Sequence, residues 1–320
     1  MIDTIIIDGL AFALPMFIMA IGGIFSEKSG ITNLAVEGMQ GFGAFTGALA
    51  AVLLMRNVEN GSQLPYCASF IAAAIGGMLF SLVHVLLCIK LKANQVISGV
   101  VVNILAVALT SFLTKRINAS LFSQTSNKFV IETSARFSVP VVSDIPVLGA
   151  LFKNLYPFEP AIVVVAVIMW FVMYRSAFGM HLRACGDNPH AVDAAGINVN
   201  RVRTIAVVIS GGLSAIGGMS FAYSISASFS PDIYLGYGYL AIAALIFGNW
   251  SILPTLGACL IFGFARSGGQ ALIQQLGMPS TFNDLVRILP YMLTLLLLIF
   301  FSRYNRAPRA LGEIYDKGKR

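Results

Sequence analysis

The sequence predicts an all-α membrane protein, a polytopic bundle of about eight to ten helices that cross a lipid bilayer. Hydrophobic residues make up 57% of the 320 residues and charged residues only 11%, and the mean hydropathy is +0.82. A soluble domain usually carries about 25% charged residues, so this chain has too few charges to cover a water-facing surface. The apolar residues also form long runs, and many basic residues lie at the ends of those runs.

These apolar runs follow one another along the whole chain. About 20 apolar residues cross the hydrocarbon core, and fewer suffice where neighbouring protein lines the gap. The Gly-rich stretch 38–47 is able to divide the second run, which leaves the number of helices open. Asp3 and Asp8 lie in the first turns with no basic residue before them, so we expect a retained helix rather than a signal peptide. The runs occupy residues 4–25, 31–55, 66–89, 94–113, 160–174, 204–225, 237–250, 252–266 and 283–302.

The basic residues predict the orientation of the bundle. Lys and Arg favour short loops that stay on the cytoplasmic side, whereas long loops cross largely regardless of charge. We therefore predict one transmembrane domain over residues 1–320, with an external loop 114–159, a cytoplasmic loop 175–203 and a basic cytoplasmic tail 303–320. The net charge of +7 does not indicate a nucleic-acid partner, because no polar domain offers a contiguous basic surface. Most of the 21 basic residues fall in segments 26–30, 88–93, 175–203 and 303–320.

Small residues recur inside the runs and predict where helices touch. Membrane helices associate by close backbone approach across small side chains. The pattern is therefore typical of packing surfaces rather than of a chemical site. The positions concerned are Gly41, Gly43, Gly47, Ala48, Gly76, Gly77, Gly211, Gly212, Gly217 and Gly218.

A short helix is predicted between the fifth and sixth runs. Asp187 or Asn188 can cap a helix that begins at Pro189, and Gly196 can end it in the left-handed conformation. Its small sides suit insertion into a groove on another protein, although the local pattern fits an interfacial helix equally well. The candidate residues are Asp187, Asn188, Pro189, His190, Ala191, Val192, Asp193, Ala194, Ala195, Gly196 and Ile197.

Polar residues inside the runs are candidates for a translocation pathway. An acidic side chain within an apolar span is energetically costly and usually faces a cavity or a partner, so Glu37 is the most informative single candidate. The alternative, which we favour, is that Glu37 accepts hydrogen bonds from nearby backbone and holds a broken helix. Further candidates are Asn33, Asn94, Gln95 and Asn103, of which Asn94 also fits a helix cap.

Neither a metal site nor a cofactor is predicted. The four cysteines are isolated, without C-x-x-C spacing, and nothing near His84 completes a set of metal ligands. His84 is therefore interpreted as a packing residue. Asp284 and Arg287, three residues apart at the start of the last run, are interpreted as a structural pair.

A loop and four further motifs, in order, resemble the family of ABC importer permeases that serve branched-chain amino acids, simple sugars and nucleosides. The run from Arg183 to Val199 is similar to the cytoplasmic coupling loop of that family. The resemblance covers residues 10–302. The other motifs are Gly22-Gly-Ile-Phe-Ser-Glu-Lys-Ser-Gly-Ile-Thr-Asn-Leu-Ala-Val-Glu-Gly-Met, Asn94-Gln-Val-Ile-Ser-Gly, Ile145-Pro-Val-Leu-Gly and Gly236-Tyr-Gly-Tyr-Leu-Ala-Ile-Ala-Ala-Leu-Ile-Phe-Gly-Asn-Trp.

The resemblance implies a function and partners. The Phe25-Ser-Glu-Lys-Ser-Gly run and the Ile145 motif are most similar to the shorter permease of nucleoside importers of the basic-membrane-protein type. Sugar and branched-chain amino acid permeases are the alternatives. The resemblance implies a bacterial plasma-membrane location, a second permease subunit, an extracytoplasmic substrate-binding protein or lipoprotein, and a cytoplasmic ATPase. The sequence itself contains no G-x-x-x-x-G-K-[ST] phosphate loop, so any ATPase is a separate chain.

Two other classes of protein are weighed against this one. An ion-coupled transporter needs buried acids or histidines that bind the coupling ion, and only Glu37, His84 and Asp284 qualify. A membrane-embedded enzyme needs catalytic residues clustered at one depth, and the sequence offers no such cluster. We therefore expect a transport subunit rather than an enzyme.

A weak internal echo suggests an inverted repeat. Residues 30–38 and 236–244 each begin with glycine and precede a helix rich in small residues. The predicted orientation makes the two segments run in opposite directions, as in the inverted repeats of many transporters.

Overall fold

The computed structural model describes residues 2–58, 62–132, 135–140, 142–144, 148–232, 235–301 and 306–317. Within these ranges, α-helices account for nearly all of the regular structure, so the predicted all-α fold is confirmed. In chain order they are α1 (Ile2–Lys28), α2 (Val36–Met55), α3 (Leu64–Val85), α4 (Gln95–Leu121), α5 (Phe158–Arg175), α6 (Ala177–Asp187), α7 (Pro189–Ala194), α8 (Val199–Phe221), α9 (Tyr237–Phe247), α10 (Ile252–Gln275) and α11 (Asn283–Phe301).

Seven helices of the described chain are long and apolar enough to cross a membrane, namely α1, α2, α3, α4, α5, α8 and α10. A π-helical turn lengthens α3 to Lys90, and another lengthens α8 to Ser226. The apolar helix α9 has only 11 residues. It is therefore about 16 Å long and reaches halfway across a hydrocarbon core of about 30 Å. With α9 and α11, the number of apolar helices agrees with the prediction.

The structure decides one alternative that the sequence left open, since the Gly-rich stretch 38–47 does not divide the second run. Helix α2 continues without a break from Val36 to Met55. Two of its glycines, Gly43 and Gly47, allow α2 to approach other helices closely. A Cβ atom built on Gly43 would lie 2.6 Å from the Cα atom of Ala215 in α8. The same atom on Gly47 would lie 2.6 Å from the carbonyl oxygen of Ser69 in α3.

Helices α1 and α8 form the centre of the bundle. Helix α8 packs against α1, α2 and α3, and α1 also packs against α5, α9 and α10. Residues Ala11 to Glu27 of α1 are buried without exception, so α1 lies inside protein rather than against lipid. Helices α3 and α8 touch through Gly77 and Gly211, since a Cβ atom on Gly211 would lie 2.5 Å from the Gly77 carbonyl oxygen. The predicted packing role is therefore confirmed at Gly43, Gly47, Gly77 and Gly211, but not at Gly41.

The bundle has two distinct ends. We call the end that carries α7 and residues 306–317 the α7 end. The long connection between α4 and α5 lies at the opposite end, where β1 (Phe129–Val130) pairs antiparallel with β2 (Ser228–Phe229). Phe129 pairs with Phe229, and both side chains are buried.

The connection is shorter than the predicted loop 114–159. Helix α4 continues to Leu121 because a buried stripe with four-residue spacing, Thr110, Thr114 and Asn118, continues past the charged pair Lys115 and Arg116. The Asn118 side chain then donates hydrogen bonds to the carbonyl oxygens of Ser126 and Lys128, which holds the start of the connection against the helix.

Two neighbouring glycines of α2 test the packing directly. We expect Gly43→Ala to lower the free energy of unfolding by about 1–3 kcal/mol, because the added methyl group overpacks the contact with α8. Gly41→Ala is the matched control, because a Cβ atom there meets nothing within 4 Å in this chain. The measurement is the thermal midpoint of the purified protein in detergent, together with its amount in membranes. Equal midpoints for the two variants would contradict the assigned packing.

Candidate functional site

The predicted short helix is present as α7, with both of its ends built as the sequence indicates. The Asn188 side chain accepts a hydrogen bond from the Ala191 N–H at 3.0 Å, and Pro189 occupies the first turn. Gly196 has a φ of +81°, a conformation that glycine adopts without the steric cost of a Cβ atom. The Ile197 N–H donates to the Val192 carbonyl at 3.2 Å and closes the end.

Helix α7 presents small side chains to solvent. Pro189 and Val192 are buried against the bundle. The outward face is exposed and consists of His190, Ala191, Ala194 and Ala195. This face can approach another protein closely because it has little bulk of its own. Its role as a contact for an ATPase stays a prediction.

Helix α6 directly precedes α7 and was not predicted. Its buried residues Gly179, Leu182, Cys185 and Gly186 recur at three- and four-residue spacing, which is the signal that indicates such a helix. The Ser176 hydroxyl accepts a hydrogen bond from the Gly179 N–H at 3.1 Å and begins the helix after a sharp bend. Burial raises the pKa of the Cys185 thiol to about 11, so the thiol stays protonated and acts as packing.

The C-terminal segment, residues 306–317, packs across the α7 end rather than extending into solvent as a tail. The Ala310 N–H donates to the Gly186 carbonyl at 2.8 Å, and the Gly312 N–H donates to the Gly30 carbonyl at 3.1 Å. The Tyr315 ring lies 5.3 Å from the ring of His190 in α7. The segment therefore joins α6 and α7 to the connection between α1 and α2. The rest of the predicted tail 303–320, namely residues 303–305 and 318–320, lies outside the described residues.

Two ion pairs and a buried arginine complete this attachment. Lys317 pairs with Asp193 of α7 at 3.6 Å, and Lys92 pairs with Asp316 at 2.9 Å. Arg203 of α8 is only 1% exposed, and its guanidinium donates to the carbonyl oxygens of Ser29 at 3.0 Å and Glu313 at 3.1 Å. The prediction counted Arg203 among the basic residues of the loop, whereas α8 begins at Val199 and carries Arg203 inward.

Glu37 lies at the N-terminus of the half-length helix α9. Its carboxyl group accepts hydrogen bonds from the N–H groups of Gly236 and Gly238, the latter at 2.6 Å. A helix N-terminus has free N–H groups and a partial positive charge, so an acidic side chain there is stabilising. The backbone hydrogen bonds agree with the favoured interpretation, but the helix that Glu37 holds is the separate helix α9 and not a broken second run, because α2 is continuous. The rival pathway role stays a prediction.

Asn103 of α4 joins the same junction. Its side-chain oxygen accepts from the Gly38 N–H at 2.8 Å, and its amide nitrogen donates to the Leu34 carbonyl at 2.9 Å and to the Tyr239 hydroxyl at 2.8 Å. We call Glu37, Asn103 and the start of α9 the Glu37 junction. The pocket beside it has a volume of about 20 Å³. Such a space holds about one water molecule and no organic solute.

The other candidate pathway residues lie at or towards the α7 end. Asn94 caps α4 by accepting from the N–H groups of Val96 at 2.9 Å and Ile97 at 3.1 Å, as the alternative interpretation proposed. Gln95 accepts from the Thr32 N–H at 2.7 Å. Asn33 donates to the Ser210 hydroxyl of α8 at 2.9 Å. The five candidates therefore do not converge on one cavity.

His84 is buried and hydrogen-bonded. Its Nδ1 atom lies 2.9 Å from the Ser98 hydroxyl, and its Nε2 atom lies 3.3 Å from the Thr32 carbonyl oxygen. These contacts fit the predicted packing role. Among the described residues, no group of three or more His, Cys, Asp or Glu side chains is placed to hold a metal ion.

The two segments of the internal echo meet at the Glu37 junction. Each begins with a glycine at positive φ, +94° for Gly30 and +98° for Gly236. The symmetry between them stays a prediction. Two other predictions fall outside the described residues, namely the side-chain pairing of Asp284 with Arg287 and the first three residues, 145–147, of the Ile145 motif.

Comparison with known proteins finds relatives that match nearly the whole chain. A family model described as "Branched-chain amino acid transport system / permease component" matches residues 5–300. The chain is 38% identical to the guanosine ABC transporter permease protein NupQ of Bacillus subtilis, over 97% of this chain and 96% of the relative. It is 34% identical to the nucleoside ABC transporter permease protein NupC of Lactococcus lactis, over 99% and 98%. It is 29% identical to the putative glucose ABC transporter permease protein TsgC13 of Haloferax volcanii, over 95% of each chain.

The Glu37 junction is tested by a change of a single atom. In Glu37→Gln the amide retains one acceptor oxygen, so one N–H group at the start of α9 loses its partner. We expect the free energy of unfolding to fall by about 1–3 kcal/mol. Glu132→Gln, at an exposed carboxyl group, is the matched control. Thermal midpoints in detergent give the measurement, and a Glu37→Gln protein as stable as the control would rule out the capping role.

Proposed function

Because the chain belongs to the family of permease components of branched-chain amino acid transport systems, we propose that it is the membrane permease of an ATP-driven nucleoside importer. We choose nucleosides as the solute because this chain is similar in sequence to permeases named for nucleosides. Relatives named for guanosine and for nucleosides are 38% and 34% identical to this chain over nearly its full length. A neutral solute also suits a bundle with few charged side chains, because it needs no counter-ion.

The ATPase is a separate chain that docks at the α7 end. The sequence has no phosphate-binding loop of its own, so hydrolysis must be supplied in trans. The exposed face of α7 is the contact we assign to it, since four small or compact side chains there leave room for a groove to close around the helix. An extracytoplasmic binding protein delivers the solute at the opposite end.

Motion of α7 reaches the spans through the C-terminal segment. Asp193 pairs with Lys317, and the same segment binds the Gly30 carbonyl and the Lys92 ammonium group. A displacement of α7 by the ATPase therefore pulls on the connection between α1 and α2 and on the start of α4. Tilting of these helices opens the pathway to one side of the membrane at a time.

The proposed importer also has a defined orientation in the membrane and a second permease subunit. The α7 end and the C-terminus face the cytoplasm of a bacterium, as the distribution of Lys and Arg indicates. A second permease, either a related chain or a copy of this one, completes the pathway. The alternative solute is a sugar, because a relative named for glucose is 29% identical over 95% of each chain.

Uptake of radiolabelled guanosine and adenosine tests the solute. In a strain without other nucleoside carriers, we expect deletion of this gene to abolish uptake, because no other route remains. Excess unlabelled ribose or leucine should not compete in the intact strain. Competition by ribose would indicate that the solute is a sugar. Nucleoside uptake that is unchanged by the deletion would overturn the proposal.

A charged side chain on the exposed face of α7 tests the docking surface. We expect Ala191→Arg to leave the amount of protein in the membrane unchanged and to reduce uptake at least tenfold, because the arginine blocks close contact with the ATPase. Ala119→Arg is the control, since Ala119 is equally exposed but lies at the far end of α4. Pull-down of the ATPase from solubilised membranes provides a second readout. Full ATPase recovery with Ala191→Arg would exclude this surface.

A further inference from the structure

Two cavities lie side by side at the opposite end of the bundle, and we treat them as two lobes of one recess because they share three lining residues. The first has a volume of about 310 Å³ and lies between α1, α10 and the connection that carries Arg136 and Tyr156. The second has a volume of about 470 Å³ and lies between α9, α10 and α11. Phe12, Ile225 and Arg266 line both lobes and therefore mark their boundary. Both volumes fall within the range of about 300–1,000 Å³ that is typical of small-molecule sites.

Charged side chains from two spans face this recess. Asp8 belongs to α1, where it lies within an apolar stretch, and Arg266 belongs to α10, where it follows one. Ionisable groups within membrane spans usually line a cavity or a solute path, because contact with lipid is costly. Both residues line the first lobe. The first lobe therefore places two ionisable side chains beside an open volume.

The boundary between the lobes is a stack of flat groups. The Arg266 guanidinium lies 4.1 Å from the centre of the Phe12 ring and 5.4 Å from the centre of the Tyr237 ring. Tyr237 meets Phe12 edge to face, with ring centres 5.2 Å apart. Tyr291 of α11 lines the second lobe beside Tyr237. Planar aromatic and guanidinium surfaces of this kind stack on nucleobases, whichever base is present.

The first lobe offers hydrogen-bonding groups instead. It is lined by Asp8, Gln270 and Ser224, whose side chains carry a carboxyl group, an amide and a hydroxyl group. The Ser224 oxygen is buried and has no hydrogen-bond partner among the described residues. Ser224 lies in the π-helical turn that ends α8, and single π-helical turns are frequent at functional sites. Acidic side chains are suitable acceptors for ribose hydroxyl groups.

We propose that this recess is a nucleoside-binding site within the permease. The base occupies the second lobe against Tyr237 and Tyr291, and the ribose occupies the first lobe, where Asp8, Ser224 and Gln270 bind its hydroxyl groups. The proposal rests on the nucleoside permease proposed above and adds a selectivity site that belongs to this chain. Since Tyr237 is the first residue of α9, the Glu37 junction also sets the position of the base-binding surface.

Photolabelling of the assembled transporter tests the site directly. The probe is radiolabelled 8-azidoadenosine, added to the purified complex of permease and partner subunits in lipid nanodiscs. We expect the label on peptides that contain Tyr237 or Tyr291, and excess guanosine should prevent it. A label confined to other peptides would overturn the site while the uptake experiment still supports the function. Absence of nucleoside uptake by the wild type would overturn the function itself.

Two variants and a control link the label to transport. Tyr237→Leu removes the stacking surface and should lower both labelling and guanosine uptake about tenfold. Because Tyr237 also packs on Phe12, Gln270→Ala provides a second variant that leaves the ring contacts intact, and it should lower uptake of guanosine more than that of a 2′,3′-dideoxynucleoside. Gln274→Ala, one turn further along α10 and outside both lobes, is the control. Equal behaviour of the two glutamine variants would contradict the ribose-binding role.

Discussion

The carboxyl group of Glu37 at the N-terminus of α9 is the interaction on which the rest of this bundle depends. A helix of 11 residues begins inside the protein, at the depth where Tyr237 meets Phe12 of α1. No water is available in a bilayer to satisfy its first N–H groups, so the protein must supply acceptors. Glu37 supplies two, to Gly236 and Gly238. The relative positions of α2, α4 and α9 follow, because Asn103 adds contacts to both neighbours.

From this junction, contiguous contacts run to both ends of the molecule. Towards the α7 end, the connection between α1 and α2 carries Gly30 and Thr32, which bind the C-terminal segment and Gln95, and that segment in turn binds α6 and α7. Towards the opposite end, the first turn of α9 places Tyr237 in the recess. An ATP-driven permease needs such continuity, since the site of hydrolysis and the solute lie on different sides of the bilayer. Each link is a hydrogen bond, an ion pair or a ring contact.

Much of this architecture could be predicted from the sequence, since it rests on local chemistry. The apolar runs correspond to the helices in order, Asn188 and Gly196 bound α7, and Gly43 and Gly77 mark helix contacts. The predictions were wrong where contacts between distant parts of the chain outweighed the local sequence pattern. The predicted loop began at residue 114, where the apolar run ends, although a buried polar stripe continues the helix to Leu121. Residues 306–317 looked like a solvated basic tail, because nothing local shows that Gly186, Gly30 and Arg203 offer them partners.

The sequence alone therefore determined the class of the protein, its long apolar helices, the ends of α7 and its family, since composition, caps, periodicity and motif order are properties of neighbouring residues. Only the tertiary structure decided what the polar residues do. Glu37 and Gly236 are 199 residues apart, and Arg203 reaches Ser29 and Glu313 across three parts of the chain. The recess likewise gathers α1, α8, α9, α10 and α11. A buried polar group is defined by the partner that satisfies it, and in this bundle that partner is seldom nearby in sequence.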